Sequence, residues 1–275
     1  MKKLNFGCGH RFSSGWINID FNSEHPEVIA HNLLQPLPYP KDYFDVIYSS
    51  HVLEHFSKDT GEMLVKECYR VLKPQGILRI VVPDLERTCR EYLRVIDSIE
   101  NQESRKQYEW IIIELIDQLV RTDHGGLMKT YWRQVLENND ESSINYVQAR
   151  TGVNIKEEIA TNNTNSVLEK VFSINQNKLK NKFKYLCIDI VKRLIPRYVR
   201  KSMIDETSLG EKHKWMYDSY SMKTLFERVG FSDIEFMDAH TSKIPNFTNE
   251  VLDINPDGTV YLPGSLYCEG IKPNK

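Results

Sequence analysis

Apolar and polar positions alternate in short segments along the first third of the chain, and this pattern predicts an α/β sheet. The apolar runs with strand character cover residues 3–6, 16–19, 28–30, 44–48 and 77–82. The last run is almost continuously apolar, which is typical of a central parallel strand covered on both faces. Apolar residues at helical spacing predict a helix over 58–72, which Lys73 to Gly76 would stop. Strands alternating with helices and turns favour a doubly wound, Rossmann-like sheet.

The pattern changes after residue 86, where helical periodicity becomes dominant. It is clearest over 109–121 and 183–195. We therefore expect a helical insertion or lid that takes part in acceptor selection. The last predicted elements are a helix over 222–229, ended by Gly230, and strands over 231–237 and 260–271. The predicted organisation is a core over 1–86, a helical insertion over 87–211 and closing elements of the core over 212–275.

Composition narrows the function classes only slightly. Of the 275 residues, 40% are hydrophobic and 27% are charged, and the net charge is −2. This is ordinary for a soluble globular protein and gives no global reason to expect nucleic acid binding. The five cysteines are scattered without a Cys-x-x-Cys pair, which argues against a disulfide framework and a cysteine zinc site. We expect a protein of the reducing cytoplasm, without a signal peptide or a membrane-spanning segment.

One stretch departs from this even charge balance. Residues 178–201 are rich in lysine and arginine, interleaved with apolar side chains, and Asp189 is their only acidic neighbour. The pattern predicts either a solvated helix packed on the core or a surface that contacts an anionic membrane or a phosphate-bearing lipid-linked substrate. The first interpretation is favoured, and peripheral contact with the inner face of the membrane stays open. The pattern does not predict an oligomeric state.

Candidate chemistry begins where the first strand ends, at Gly7-Cys8-Gly9. Such a turn has no side chain to block a ligand, and nucleotides bind at this edge of open α/β sheets. The second strand ends in Asp20, whose carboxylate can accept hydrogen bonds from both hydroxyls of a ribose. A dinucleotide fold would need a third glycine where Phe12 stands, and a longer crossover. NAD is therefore disfavoured, and S-adenosylmethionine (SAM), which carries no phosphate, fits better.

Several motifs together resemble SAM-dependent methyltransferases of the type 11 group. These motifs are Leu4–Gly9, Gly15–Asp20, His31–Leu33, Pro36–Pro38, Phe44–His55 and Leu72–Gly76. Within that group, the chain is similar to a bacterial branch often associated with surface-polysaccharide biosynthesis. The similarity covers residues 3–86 and resumes at Gly230 and over 266–273.

The resemblance implies a set of cofactor contacts. It places Gly7, Cys8 and Gly9 along the methionine and ribose of SAM, and Asp20 at the ribose hydroxyls. It also places Asn32 and Leu33 beside the adenine, and Ser50 and His51 at the sulfonium end. Two positions depart from the family. Asn32 stands where many relatives have Asp, although its side-chain oxygen can still accept a hydrogen bond. Asn5 stands where a first-strand carboxylate is common, so the contact to the methionine amino group is less defined.

An acceptor hydroxyl would need a general base near the transferred methyl group. Our candidates are His51, Asp84 and His124. Asp84 fits equally well as the N-cap of the following helix, and His124 as part of a helix–helix turn. His51 and His55 have the spacing of a metal-binding pair on a helix. No third ligand is identifiable, however, and in the family that the chain resembles the Leu-Glu-His sequence recurs without a metal, so we predict no metal site.

The sequence thus predicts a SAM-dependent methyltransferase that O-methylates a sugar or glycan intermediate by direct in-line transfer. The sugar follows from the resemblance alone, since a fold does not determine a substrate. Two alternatives stay open: a methyltransferase for a small metabolite, and a catalytically inactive SAM-fold protein that binds a partner. The expected ligand besides SAM is a small-molecule or glycan acceptor, and no nucleic acid partner is expected.

Overall fold

The computed structural model describes residues 1–21, 25–160 and 211–274. The helix predicted over 183–195 and the basic stretch over 178–201 lie outside these residues. Within the described part of the chain, no helix combines the length and the apolar character needed to cross a bilayer.

Seven strands form one sheet in the order β3-β2-β1-β4-β5-β7-β6. The strands are β1 Lys3–Phe6, β2 Ile17–Asp20, β3 Val28–Ala30, β4 Phe44–Ser50, β5 Leu72–Pro83, β6 Ser232–Met237 and β7 Ser265–Ile271. Strands β1 to β5 pair in parallel, whereas β7 is antiparallel to both β5 and β6. The predicted Rossmann-like α/β sheet is confirmed. The carboxyl ends of β1, β2 and β4 therefore meet at one edge, where the candidate site lies.

Two of the described helices, Lys58–Val71 and Ser219–Val229, agree closely with the sequence prediction. The described helices are α1 Lys58–Val71, α2 Leu85–Asp97, α3 Gln102–Val120, α4 Gly126–Glu137, α5 Glu141–Thr151 and α6 Ser219–Val229. Helix α1 begins after Ser57, whose hydroxyl accepts a hydrogen bond from the Thr60 backbone at 3.3 Å. Helix α6 begins with a capping box at Asp218 and ends at Gly230, whose φ of 107° is the left-handed C-cap conformation.

Two sequence predictions about strand ends were wrong. Helix α1 ends before Lys73 as predicted, but the next strand, predicted to begin at residue 77, already begins at Leu72. The last strand is shorter than the predicted 260–271, since β7 begins only at Ser265. Val260 instead forms an isolated bridge with Ile254, within an irregular segment that joins β6 to β7.

The two faces of the sheet are covered in different ways. Alternate residues of β5 point to opposite faces, so Leu78 and Ile80 pack with α1 and α6, whereas Val81 packs with the segment 238–264. That segment contributes Phe247 and Leu252 to the second cluster. One face is therefore covered by irregular chain rather than by a helix, and this chain reaches the edge where β1 and β4 end.

A buried ionic network fixes the covering segment to the sheet. Arg79 of β5 has no exposed side-chain surface, and its guanidinium pairs with Asp253 at 2.8 Å and with Glu269 at 2.7 Å. The Tyr48 hydroxyl donates to the same Asp253 carboxylate at 2.6 Å. Burial raises the pKa of Asp253, whereas the positive charge of Arg79 opposes this rise. Because the charges lie inside the protein, each depends on its partners.

The helices after β5 have a core of their own. Trp110 of α3 is fully buried and packs with Tyr131 and Val135 of α4 and with Val147 of α5. Tyr131 is thus a core residue rather than part of an acceptor pocket. The helical character predicted after residue 86 is present in this described part, whereas the boundaries of the insertion stay predictions.

Candidate active site

The turn after β1 requires glycine at its first position. The Gly7 backbone N–H donates to the Ile19 carbonyl at 2.8 Å, which joins the ends of β1 and β2. Gly7 has a φ of +64°, and a Cβ there would lie 2.2 Å from Cγ2 of Val52. Both the backbone conformation and the close approach of Val52 therefore exclude a side chain.

Gly9 and Asp20 form the second part of this turn. The Gly9 N–H donates to Oδ2 of the half-buried Asp20 at 2.8 Å. Gly9 has a φ of +52°, but a Cβ there would meet nothing within 4 Å, so the residue faces open space. The glycine turn thus holds the Asp20 carboxylate beside an open surface, where its other oxygen could accept a bond from a ligand hydroxyl.

A cavity of about 200 Å³ begins at the glycine turn and ends at the carboxyl end of β4. It brings together five of the predicted cofactor residues: Gly7, Cys8, Gly9, Ser50 and His51. Burial and the nearby Asp20 carboxylate raise the pKa of the Cys8 thiol to about 11, so this side chain is a neutral, weakly polar part of the wall.

Asn32 and Leu33 lie near Asp20 but outside the lining of this cavity. The His31 N–H donates to the Asp20 carbonyl at 2.7 Å, which holds the end of β3 next to the end of β2. The exposed Asn32 uses Oδ1 to accept the Leu34 N–H at 3.0 Å, and Leu33 packs against the main core. The side-chain oxygen assigned to the adenine is therefore already part of a local turn.

The roof of the cavity consists of residues that the sequence analysis did not identify. Arg11 lines the cavity, and its Nε donates to the Leu252 carbonyl at 2.9 Å. The guanidinium also lies 3.8 Å from the ring centroid of Tyr261. Leu252 and Tyr261 belong to the irregular segment before β7, which carries no recognisable motif. Only the fold shows that this segment covers the site.

His51 lines the cavity, whereas Asp20 lies outside its lining and binds to it through Gly9. Its backbone is left-handed, with a φ of +53°, and its N–H donates to the Val81 carbonyl at 2.9 Å. Its Nε2 lies 2.8 Å from the Ser265 hydroxyl of β7. Burial, with a further contribution from His55, lowers the pKa of His51 to about 4. The ring is therefore neutral near pH 7 and can accept a proton.

The other two predicted bases lie elsewhere. Asp84 is the N-cap of α2, since its Oδ1 accepts the Arg87 N–H at 3.1 Å, and it borders a separate arginine-rich cavity. His124 is 73% exposed, pairs with Glu211 and lies in a third cavity, between α3 and α4. Gly125 and Gly126 have positive φ angles and form the turn that directs His124 there. Of the three candidates, only His51 lines the cavity beside the glycine turn.

Comparison with known proteins identifies the part of the chain that forms this turn. Residues 4–80 match the family described as a methyltransferase domain. The matched residues include the glycine turn, Asp20 and His51, and SAM is the cofactor of such domains.

A curated relative also matches part of the chain. Phosphoethanolamine N-methyltransferase of Plasmodium falciparum is 29% identical over 104 residues, which cover 36% of this chain and 38% of that protein. The chain thus matches well under half of the relative's length. Two solved structures are each 12% identical to this chain, with a TM-score of 0.38. One is a SAM-dependent methyltransferase from Archaeoglobus fulgidus, and the other is a possible histamine N-methyltransferase from Thermotoga maritima. They cover 98% of this chain, and 86% and 82% of their own chains, respectively.

The matched segment has features that suit SAM. Gly9 faces open space, so a ligand can approach the backbone where any larger side chain would intrude. Asp20 presents a carboxylate suited to ribose hydroxyls, and the cavity extends from the turn to His51. These residues fit a ligand with a ribose at one end and a reactive centre at the other.

Proposed function

We propose that the chain methylates a hydroxyl group of a sugar or glycan intermediate, with SAM as the methyl donor. The observation that carries this proposal is the single cavity that joins the glycine turn to His51. One end of the cavity suits the cofactor, and the other end offers a neutral imidazole that can accept a proton. The sugar acceptor rests on the resemblance to methyltransferases of polysaccharide biosynthesis.

When bound, SAM supplies a methyl group already activated by its sulfonium, so the protein must mainly align the acceptor and exclude water. Asp20 and Gly9 would orient the ribose. The covering segment, with Leu252 and Tyr261, would shield the site from solvent. His51 would accept the acceptor proton on its imidazole ring, and the Ser265 hydroxyl, 2.8 Å from Nε2, would hold the ring in place.

Calorimetry with SAM tests the cofactor part of this proposal. The wild-type chain should bind SAM, and Gly9→Val should abolish binding because its side chain would fill the open surface of the turn. Gly258→Val is a matched control, since Gly258 also has a positive φ and open space around its Cα, but lies outside the cavity. A wild-type chain that binds no SAM would favour the alternative of an inactive binding protein.

Turnover tests the acceptor. In the presence of nucleotide-sugars or oligosaccharides, the wild-type chain should convert SAM to S-adenosylhomocysteine and form a methylated sugar. His51→Ala should lower kcat while leaving the affinity for SAM almost unchanged. Equal turnover by wild type and His51→Ala would argue against a base at this position.

A small metabolite is the second candidate acceptor. Its support is the curated relative, whose name states an N-methyltransferase for phosphoethanolamine. An amine acceptor needs no general base once it is deprotonated, so this candidate predicts that His51→Ala keeps its activity when the assay pH lies above the pKa of the amine. Parallel assays with phosphoethanolamine and with nucleotide-sugars would separate the two candidates by which of them yields S-adenosylhomocysteine.

The remaining sequence predictions are part of the same proposal. Residues 87–211 would select the acceptor between the two parts of the core, 1–86 and 212–275. The basic stretch over 178–201 would offer a contact to an anionic membrane or a lipid-linked phosphate, at the cytoplasmic side. Vesicle sedimentation with and without anionic lipid would test that contact.

A further inference from the structure

A buried carboxylate without a partner lies directly behind the candidate site. Glu54 is 1% exposed, and neither of its carboxylate oxygens has a hydrogen-bond partner among the described residues. A buried carboxylate must gain either a proton or a cation, because an isolated charge is very unfavourable there.

Two histidines surround this carboxylate. Nε2 of the buried His213 lies 4.0 Å from Oε1 of Glu54. The rings of His55 and His213 are 5.0 Å apart and almost perpendicular. The cluster consists of Glu54, His55 and His213. Each of these residues offers one ligand atom, and the three atoms lie within 4.8 Å of one another. Two imidazoles and a carboxylate therefore converge on a common point inside the protein.

The surrounding backbone orients these side chains. The Nδ1 of His55 lies 3.2 Å from the Lys212 carbonyl, to which it can donate, and this leaves Nε2 of the same ring with a lone pair. The N–H groups of Lys214 and Trp215 donate to the Glu54 carbonyl at 2.7 and 3.2 Å. The chain on both sides of His213 is thus held against the turn that carries Glu54 and His55.

We propose that Glu54, His55 and His213 bind a divalent transition metal, with Zn²⁺ the best fit. Two histidines and one glutamate are a ligand set that zinc uses with a fourth position left for water or substrate. Tetrahedral coordination at the usual bond lengths places ligand atoms about 3.3 Å apart, so the three ligand atoms, which lie within 4.8 Å of one another, would move closer together around the ion. The metal supplies the positive charge that Glu54 lacks.

The proposed metal site is next to the cofactor cavity. Nδ1 of His51, which lines that cavity, lies 3.4 Å from Oε1 of Glu54. The sequence spacing alone suggested His51 with His55 as a metal-binding pair that lacks a third ligand. The structure changes the set, because the left-handed backbone of His51 interrupts the helix that would have aligned those two rings, and the third ligand comes from distant His213.

Metal binding by the full-length chain tests the proposal. Chelator-treated protein titrated with Co²⁺ should take up one equivalent and develop the visible absorption of four-coordinate Co²⁺. Glu54→Gln and His213→Gln preserve side-chain size and should remove this stoichiometric binding. His240→Gln is the matched control, because His240 is exposed and lies outside the cluster. Far-ultraviolet circular dichroism would show that each variant is folded.

A second measurement needs no variant. Nuclear magnetic resonance of the histidine ring nitrogens should show that Zn²⁺ shifts the signals of two buried histidines and leaves His240 unchanged. No Co²⁺ binding by the wild type, or binding that both variants retain, would overturn the proposal. The inference is independent of the acceptor, and calorimetry with SAM on the metal-free protein would report separately on the cofactor site.

Discussion

The close contact between Gly7 and Val52 permits a quantitative test of the glycine turn. A Cβ at position 7 would lie 2.2 Å from Cγ2 and 3.0 Å from Cγ1 of Val52. Gly7→Ala therefore introduces both a left-handed alanine and a steric overlap with a buried side chain. Gly9→Ala introduces the left-handed alanine alone, since nothing lies within 4 Å of its Cβ.

The two effects have separate magnitudes. A left-handed backbone at a residue with a Cβ costs about 1–2 kcal/mol. Overpacking of a buried position typically adds about 1–3 kcal/mol. Gly7→Ala should therefore lower the free energy of unfolding by about 2–5 kcal/mol, and Gly9→Ala by about 1–2 kcal/mol. The difference between the two variants measures the overlap with Val52.

Urea denaturation followed by tryptophan fluorescence would give these free energies. A double-mutant cycle then isolates the contact, because Val52→Ala removes both methyl groups that the new Cβ would meet. In the Val52→Ala background, Gly7→Ala should cost only the backbone contribution of about 1–2 kcal/mol. An equal cost of Gly7→Ala in both backgrounds would refute the role assigned to Val52.

Three further predictions concern separate parts of the structure. Asp20→Ala removes an ionised acceptor, and hydrogen bonds to such a group are worth about 1.5–3 kcal/mol. Calorimetry should therefore show an affinity for SAM at least about tenfold weaker, whereas the affinity of the control Asp257→Ala, at an exposed position, should be unchanged. Arg79→Met leaves Asp253 and Glu269 buried without their cation and should cost about 3–5 kcal/mol in urea denaturation, whereas exposed Arg90→Met should have little effect. If that stability loss were no larger than for Arg90→Met, the ionic network would not hold the covering segment. His124→Ala should keep SAM binding and turnover unchanged, and a large loss of kcat would show that His124 reaches the site.

Much of the central sheet could be predicted because its signals are local. Apolar runs mark buried strands, and helical spacing with a serine before it and glycine after it marks helix ends. The start of β5, predicted at residue 77, was wrong for the same reason. Pro74 and Gly76 are typical of a chain break, but long-range contacts, such as the Gln75 N–H donating to the Lys272 carbonyl at 2.7 Å, extend β5 back to Leu72.

The candidate site was only partly predictable. Gly7, Gly9 and Asp20 come close together because neighbouring parallel strands end at the same edge, and this rule can be applied to a sequence. His51 follows the next strand in that edge, and the resemblance to the methyltransferase group implied its place at the sulfonium end. Asp84 and His124 also follow element ends, but the cap of α2 and the turn before α4 direct them into other cavities.

The sequence by itself determined the strands and helices of the core, the turn that needs glycine, and the acid that follows it. Only the tertiary structure decided which remote residues join them: Arg11 with the covering segment before β7, and His213 beside Glu54. The physical reason is that backbone periodicity and turn conformation depend on neighbouring residues. The surroundings of a buried charge, in contrast, depend on chain segments that pack together from distant parts of the sequence.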